Sequence, residues 1–164
     1  MKKAFLVMLA LVLCYSCKEQ AQQQPGLKIE DGFYEVLYID STGAVETKKP
    51  GQALLGLDTV FNTGDRRQVI IDVSDYVPLE MEGDPKKEQQ TDAKKLLSVT
   101  LSKNATEKMR RFTATRVMKH VAIVIDGKVI TMHKVREAIN GPGLQITRCD
   151  DNACEYLFVK MKQQ

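Results

Sequence analysis

Side chains able to do chemistry are few in this 164-residue chain, and they are scattered. The histidines are His120 and His133, and the cysteines are Cys14, Cys17, Cys149 and Cys154. Nucleophilic catalysis requires a nucleophile, a base and an orienting group within hydrogen-bond reach. The sequence has no glycine-flanked serine elbow, no phosphate-binding glycine loop and no histidine pair at metal-ligand spacing. A small hydrolase-like enzyme would have to use His133, in a pocket that brings an acid or hydroxyl to within about 3 Å of it. His120 is expected where a helix ends and a strand begins, a place where its charged form suits the helix dipole. Asp72, Asp75, Glu80 and Glu82 could gather round a cation, but their polar surroundings read as a solvated loop. Tyr34, Tyr38 and Tyr76 suit either the core or a partner face. No catalytic, metal or cofactor residue is assigned, and the expectation is a protein that is not an enzyme.

The cysteines gain meaning from their positions. Lys2 and Lys3 precede an apolar run at residues 4–14, which is too short to span a bilayer as a helix. The run leads through Cys14, Tyr15 and Ser16 to Cys17, and Lys18, Glu19 and Gln20 follow. This segment resembles a bacterial lipoprotein signal, in which a cysteine after a small residue is lipidated on sulfur and becomes the new amino terminus. Cys14 and Tyr15 depart from the aliphatic and small residues usual there, and a secretory signal cut near Ser16 and a cytoplasmic protein with an apolar start are the alternatives. The resemblance implies a signal peptide at residues 1–16, lipidation at Cys17, and a flexible tether at residues 17–26. It also implies a place in the bacterial cell envelope, held on the membrane through the lipid anchor. Lys18 after the cysteine resembles a signal for passage to the outer membrane, with periplasmic or surface exposure both open. Cys149 and Cys154 then remain as an even pair in an oxidising compartment, so a disulfide is expected, with free thiols or a metal site as alternatives.

The formal charge of +3 falls once Lys2 and Lys3 leave, and the remaining cations are interleaved with acids, which disfavours a nucleic-acid partner. Residues 27–84 read as a β-rich N-terminal extension, with strands at 33–39 and 67–73 and a poorly periodic stretch at 45–64. Residues 80–92 read as a charged linker or loop that can start a short helix at Pro85. The domain at residues 85–164 is more regular. A strand at 96–101 precedes a helix with Asn104 and Glu107 as capping box, Ala105, Met109, Phe112, Thr113 and Val117 on its apolar face, and an end near His120. Arg116 interrupts that face and is expected to keep its charge in water. Residues 121–125 form a strand covered on both sides, and Asp126-Gly127 makes a tight turn into a strand at 128–132. A short helix at 134–139 and a strand at 144–149 follow, and residues 155–161 favour a strand over a helix capped by Asp151. The fold class is thus α+β, a ferredoxin-like split βαβ unit (strand, helix, strand, strand, helix, strand) with a β-rich N-terminal extension.

The stretch from Ser98 to Thr147 resembles the first periplasmic head subdomain of SecD, a bacterial protein-export subunit. The resemblance rests on Ser98 and Ser102 before Ala105, Met109, Phe112 and Thr113, on HVAIVIDGKVI from His120 to Ile130, and on EAINGPGLQIT from Glu137 to Thr147. His133, Lys134 and Arg148 depart from the family's proline and glycine there. Export by SecD needs a multi-span membrane domain, and no segment after residue 17 is apolar enough to supply one. The resemblance therefore implies a head reused as a non-enzymatic binding or export-accessory module. Its expected partner is an envelope protein or peptide, met by the 44–64 loop and the helix-free sheet face. A structural envelope lipoprotein without a dedicated ligand is the alternative.

Overall fold

The computed structural model describes residues 28–40, 49–57, 67–91, 94–149 and 151–163. The readings placed on residues 1–27, Cys17 among them, lie outside these, as do the side chains of Cys149 and Cys154. In chain order the elements are β1 (Gly32–Asp40), β2 (Gln52–Gly56), β3 (Gln68–Pro78), β4 (Lys86–Thr91), β5 (Lys94–Thr100), α1 (Lys103–Ala114), β6 (His120–Ile125), β7 (Lys128–Lys134), β8 (Gly143–Cys149) and α2 (Asp151–Lys162). Among the described residues no helix is long and apolar enough to cross a membrane.

Local chemistry accounts for the sharpest corner. Asp126 and Gly127 take φ of 51° and 69°, the paired left-handed conformation whose twist matches that of the β6 and β7 strands it joins. From that hairpin an antiparallel sheet builds outward in the order β2-β3-β1-β6-β7. Register shifts in β1–β3 and β6–β7 coil it, and Leu57, just past β2, bridges Val129 of β7. The sheet thus curls toward a closed barrel. Alternate residues fill its concave side, among them Tyr34, Leu55, Val69, Ile71, Ala122, Val124 and Val129. The helix-free face on which a partner was expected is therefore filled by the protein's own core. The Tyr34 hydroxyl is satisfied within this core by donating to the Glu30 carbonyl at 2.7 Å, and its ring stacks on Tyr76. Burial, the main cause, raises the Tyr34 pKa well above the ordinary tyrosine value.

A second sheet, β4-β5-β8, faces the convex side of the first. Phe33, Val77, Val121, Ile123 and Ile125 from the curled sheet, Met109 and Phe112 from α1, Leu97, Val99 and Ile146 from the small sheet, and Leu157 and Met161 from α2 form one continuous core. Each such side chain, fully buried, contributes about 1.5–3 kcal/mol of transfer free energy. β6 pairs with β7 as the Asp126-Gly127 turn predicts, and β5 pairs with β8, but the two pairs lie in separate sheets, β6 joined by β1 and β5 by β4.

Several local expectations are corrected. Ser102, not Asn104, caps α1, its Oγ accepting from Ala105 N at 3.2 Å, while Glu107 pairs with Arg110 and Arg111. The helix stops at Ala114, so Val117 is 45% exposed and His120 opens a strand instead of closing a helix. Arg116 is buried: its Nε lies 2.8 Å from Glu35 Oε2, though not aligned for a hydrogen bond, Nη2 donates to Asp75 at 2.9 Å, and the guanidinium lies over the Phe112 ring. No helix starts at Pro85, and strand β4 runs from Lys86 to Thr91 instead. No helix forms at 134–139, because Val135 is held extended by its exchange with the turn after α1, where Met118 N donates to Val135 O and Val135 N donates to Lys119 O. The second helix comes after β8, where a strand had been favoured. Leu157 and Met161, four residues apart, point into the core, and Tyr156 and Phe158 pack at its edge.

Candidate functional site

The convex face of the curled sheet and the small sheet do not meet along their whole length. A cleft of about 240 Å³ remains between them. Its floor is Phe33 of β1 with Val121 and Ile123 of β6, one wall is Met109 and Thr113 of α1, and the other is Leu144 and Ile146 of β8. Val135 and Ile139 cover it, and His133, Lys134, Arg136, Glu137 and Gln145 form a polar rim.

The segment from Val135 to Pro142 is a strap fixed at three points. Val135 is bonded to the turn after α1, and the Pro142 carbonyl accepts from Leu101 N at 2.8 Å. Between them the fully buried Thr113 hydroxyl donates to Met109 O at 2.7 Å and accepts from Ile139 N at 2.9 Å. A hydroxyl on the apolar face of α1 thereby satisfies a strap amide that no strand could reach. The strap forms one side of the cleft. Beside it, among the described residues, β8 is the end strand of its sheet, with one row of its backbone groups facing away from β5.

This arrangement offers apolar contact and no reactive group in the interior. His133 sits on the rim, with a ring nitrogen 3.3 Å from Thr131 Oγ1. That contact links neighbours on one face of β7, and Thr131 is not part of the cleft wall. A hydrolase would need the hydroxyl turned toward a bound substrate and oxyanion donors opposite it. His120 is exposed and pairs in register with Lys134 and Val36, away from the floor. The four acids considered as a cation site are dispersed. Asp72 accepts from Ser74, Asp75 pairs with Arg116, and Glu80 accepts from Ser102 and Asn104. Among the described residues no group of three His, Cys, Asp or Glu could hold a metal ion. Of the three tyrosines, Tyr34 is core, Tyr76 donates to Glu30, and Tyr38 is 56% exposed. Most of the 44–64 loop lies outside the described residues.

The cleft was not anticipated from sequence. Its wall residues Ile139, Leu144 and Ile146 were visible as apolar positions, but only as parts of a short helix and an ordinary strand.

No curated protein matches the chain. The chain is similar to SecDF in its super-membrane-facing form, with 24% identity and a TM-score of 0.42 over 48% of this chain and 11% of that one. It is also similar to a SecDF described as a membrane component that enhances protein export, with 16% identity and a TM-score of 0.46 over 85% of this chain and 70% of that one. A family model described as the SecDF P1 head subdomain matches residues 80–159, a stretch that contains the strap, β8 and most of the cleft wall.

Proposed function

We propose that this chain is a non-enzymatic accessory module of protein export, resident in the bacterial envelope, which holds a short extended apolar segment of another polypeptide. The observation that carries this reading is the apolar cleft beside an end strand, inside the stretch that matches the SecDF P1 head. Its volume of about 240 Å³ is below the roughly 300–1,000 Å³ of small-molecule sites and suits one or two large side chains. The peptide backbone lies along the β8 edge as an added strand, and alternate side chains enter the cleft.

The module is delivered with residues 1–16 as signal and is anchored through lipidated Cys17 on the tether at 17–26. Residues 27–84 serve as the β-rich extension and 85–164 as the head-like domain. A Cys149–Cys154 disulfide staples the end of β8 to the first turn of α2.

The test is photocrosslinking in intact, exporting cells from a photoreactive phenylalanine derivative placed at Ile139 or, as a control, at Lys162. Adducts with exported polypeptides are expected at Ile139 and not at Lys162. Equal labelling at the two positions, or none, overturns the proposal and leaves a lipoprotein without a dedicated ligand.

A further inference from the structure

Between Glu107 and Asp126 the chain carries no acid, while Lys108, Arg110, Arg111, Arg116 and Lys119 follow one another. The fold brings two more cations to the same end. Lys134 lies opposite His120 in the β6–β7 register, and Arg136 follows Val135, whose backbone exchanges hydrogen bonds of 2.7 and 2.9 Å with Met118 and Lys119. At the crest of this turn Val117 and Met118 are 45% and 63% exposed. Met118 has a φ of 70°, a conformation disfavoured for any residue with a Cβ. The chain therefore holds an apolar pair out in solvent on a strained backbone, ringed by positive charge.

The carboxylates nearby leave that charge in excess. Glu107 pairs with Arg110 and Arg111, Glu35 with Arg116 and Lys119, and Asp75 with Arg116. Glu137 stands beside Arg136, and among the described residues Lys108, Lys134 and Arg136 have no ion-pair partner.

We infer that this tip docks on an anionic lipid surface. Val117 and Met118 enter the headgroup layer, and Arg111, Lys119, Lys134 and Arg136 meet the lipid phosphates. A projecting apolar pair within a ring of cations complements a flat, negatively charged face, whereas a peptide would require a recess. The contact is separate from the cleft and from any acyl chain on Cys17, and it would set how the cleft faces the membrane.

The test uses the full chain carrying Cys17→Ser, so that no acyl chain contributes, in sedimentation with phosphatidylcholine vesicles with or without about one-third phosphatidylglycerol. The leader is present in every sample, so differences between variants report the tip. Lys134→Glu with Arg136→Glu should weaken association with the anionic vesicles by about thirtyfold or more and leave the neutral vesicles unaffected. The chain has no tryptophan, so Met118→Trp supplies a single indole, excited apart from the tyrosines, whose fluorescence should shift to the blue on anionic vesicles. This second readout stands even where the charge reversal impairs folding. Unchanged binding by a folded charge-reversed chain, or an emission that does not move, overturns the inference. Binding of soluble polyglutamate without binding of vesicles also overturns it, and points to an acidic protein instead.

Discussion

Replacing Glu35 by Gln removes one charge from the buried group that ties the end of α1 to β1. Glu35 and Arg116 are 7% and 8% exposed, and the Glu35 carboxylate meets Arg116 Nε at 2.8 Å and Lys119 Nζ at 2.6 Å. Breaking a buried pair by removing one partner costs about 3–5 kcal/mol, because the other charge is left uncompensated. Here Asp75 still reaches the Arg116 guanidinium at 2.9 Å, but its side chain is 61% exposed and its field is screened. The remaining hydrogen bonds, from Arg116 Nη1 to Phe112 O and Thr115 Oγ1, are to neutral groups. The expected loss is thus at the lower end, about 3 kcal/mol, or a fall in Tm on the order of 10 °C. Urea unfolding of the parent and Glu35→Gln chains measures it, with an unchanged m-value marking an effect on stability alone. Pairing Glu35→Met with Arg116→Met should recover most of the loss, since apolar side chains of similar length need no charge partner. A loss below about 1 kcal/mol for Glu35→Gln would mean that the group behaves as a surface salt bridge and that this account of α1 docking is wrong.

Phe112→Ala removes a ring that is 3% exposed and covered by the Arg116 guanidinium, and should cost about 3–5 kcal/mol in the same assay. Tyr34→Phe loses the hydrogen bond to Glu30 O, about 1 kcal/mol near neutral pH. Its pH dependence is also specific. Because the folded pKa is raised, the Tyr34 contribution is complete below about 10, where the unfolded chain begins to lose its proton, and falls as pH rises from there. The alkaline fall in stability should therefore be shallower in Tyr34→Phe, and an identical slope would contradict the burial of that hydroxyl. If Cys149 and Cys154 are joined, mass spectrometry of the unreduced chain finds one linked peptide pair and Cys149→Ser costs about 2 kcal/mol, whereas two titratable thiols dismiss the bond. On membranes washed at high salt, which screens the charged tip, Cys17→Ser should move the protein from the membrane to the soluble fraction, and unaltered partition would remove the lipid anchor.

Elements specified by neighbouring residues were legible in the sequence. The Asp126-Gly127 turn, the apolar run from Val121 to Ile125, and the Met109 and Phe112 face of α1 all formed where their local pattern placed them. Those specified from a distance were not. Arg116 reads as a solvated edge residue until its partner Asp75, 41 residues away, and Glu35 on β1 are brought beside it. Strand β4 is Lys-Lys-Glu-Gln-Gln-Thr, an exposed edge whose polar residues give no periodic signal and whose pairing with β5 decides its form. Strand β2 spans only Gln52–Gly56, too short for alternation to stand out. The strap at 135–142 resembles a helix locally, but the Thr113 hydroxyl and the Lys119 carbonyl claim its amides. The cleft depends on that strap, which is why its walls were visible as apolar residues and the space between them was not.

The central claim is that the cleft beside β8 receives an extended apolar segment. The most direct measurement is a nuclear magnetic resonance titration of the methyl-labelled full chain with an unstructured peptide whose leucines alternate with polar residues. The methyl signals of Ile139, Leu144 and Ile146 should shift together and saturate, with contacts between peptide side chains and Met109, and the β8 amides should gain protection from exchange. Methyl signals that stay in place while the peptide binds elsewhere, or does not bind at all, would contradict the account.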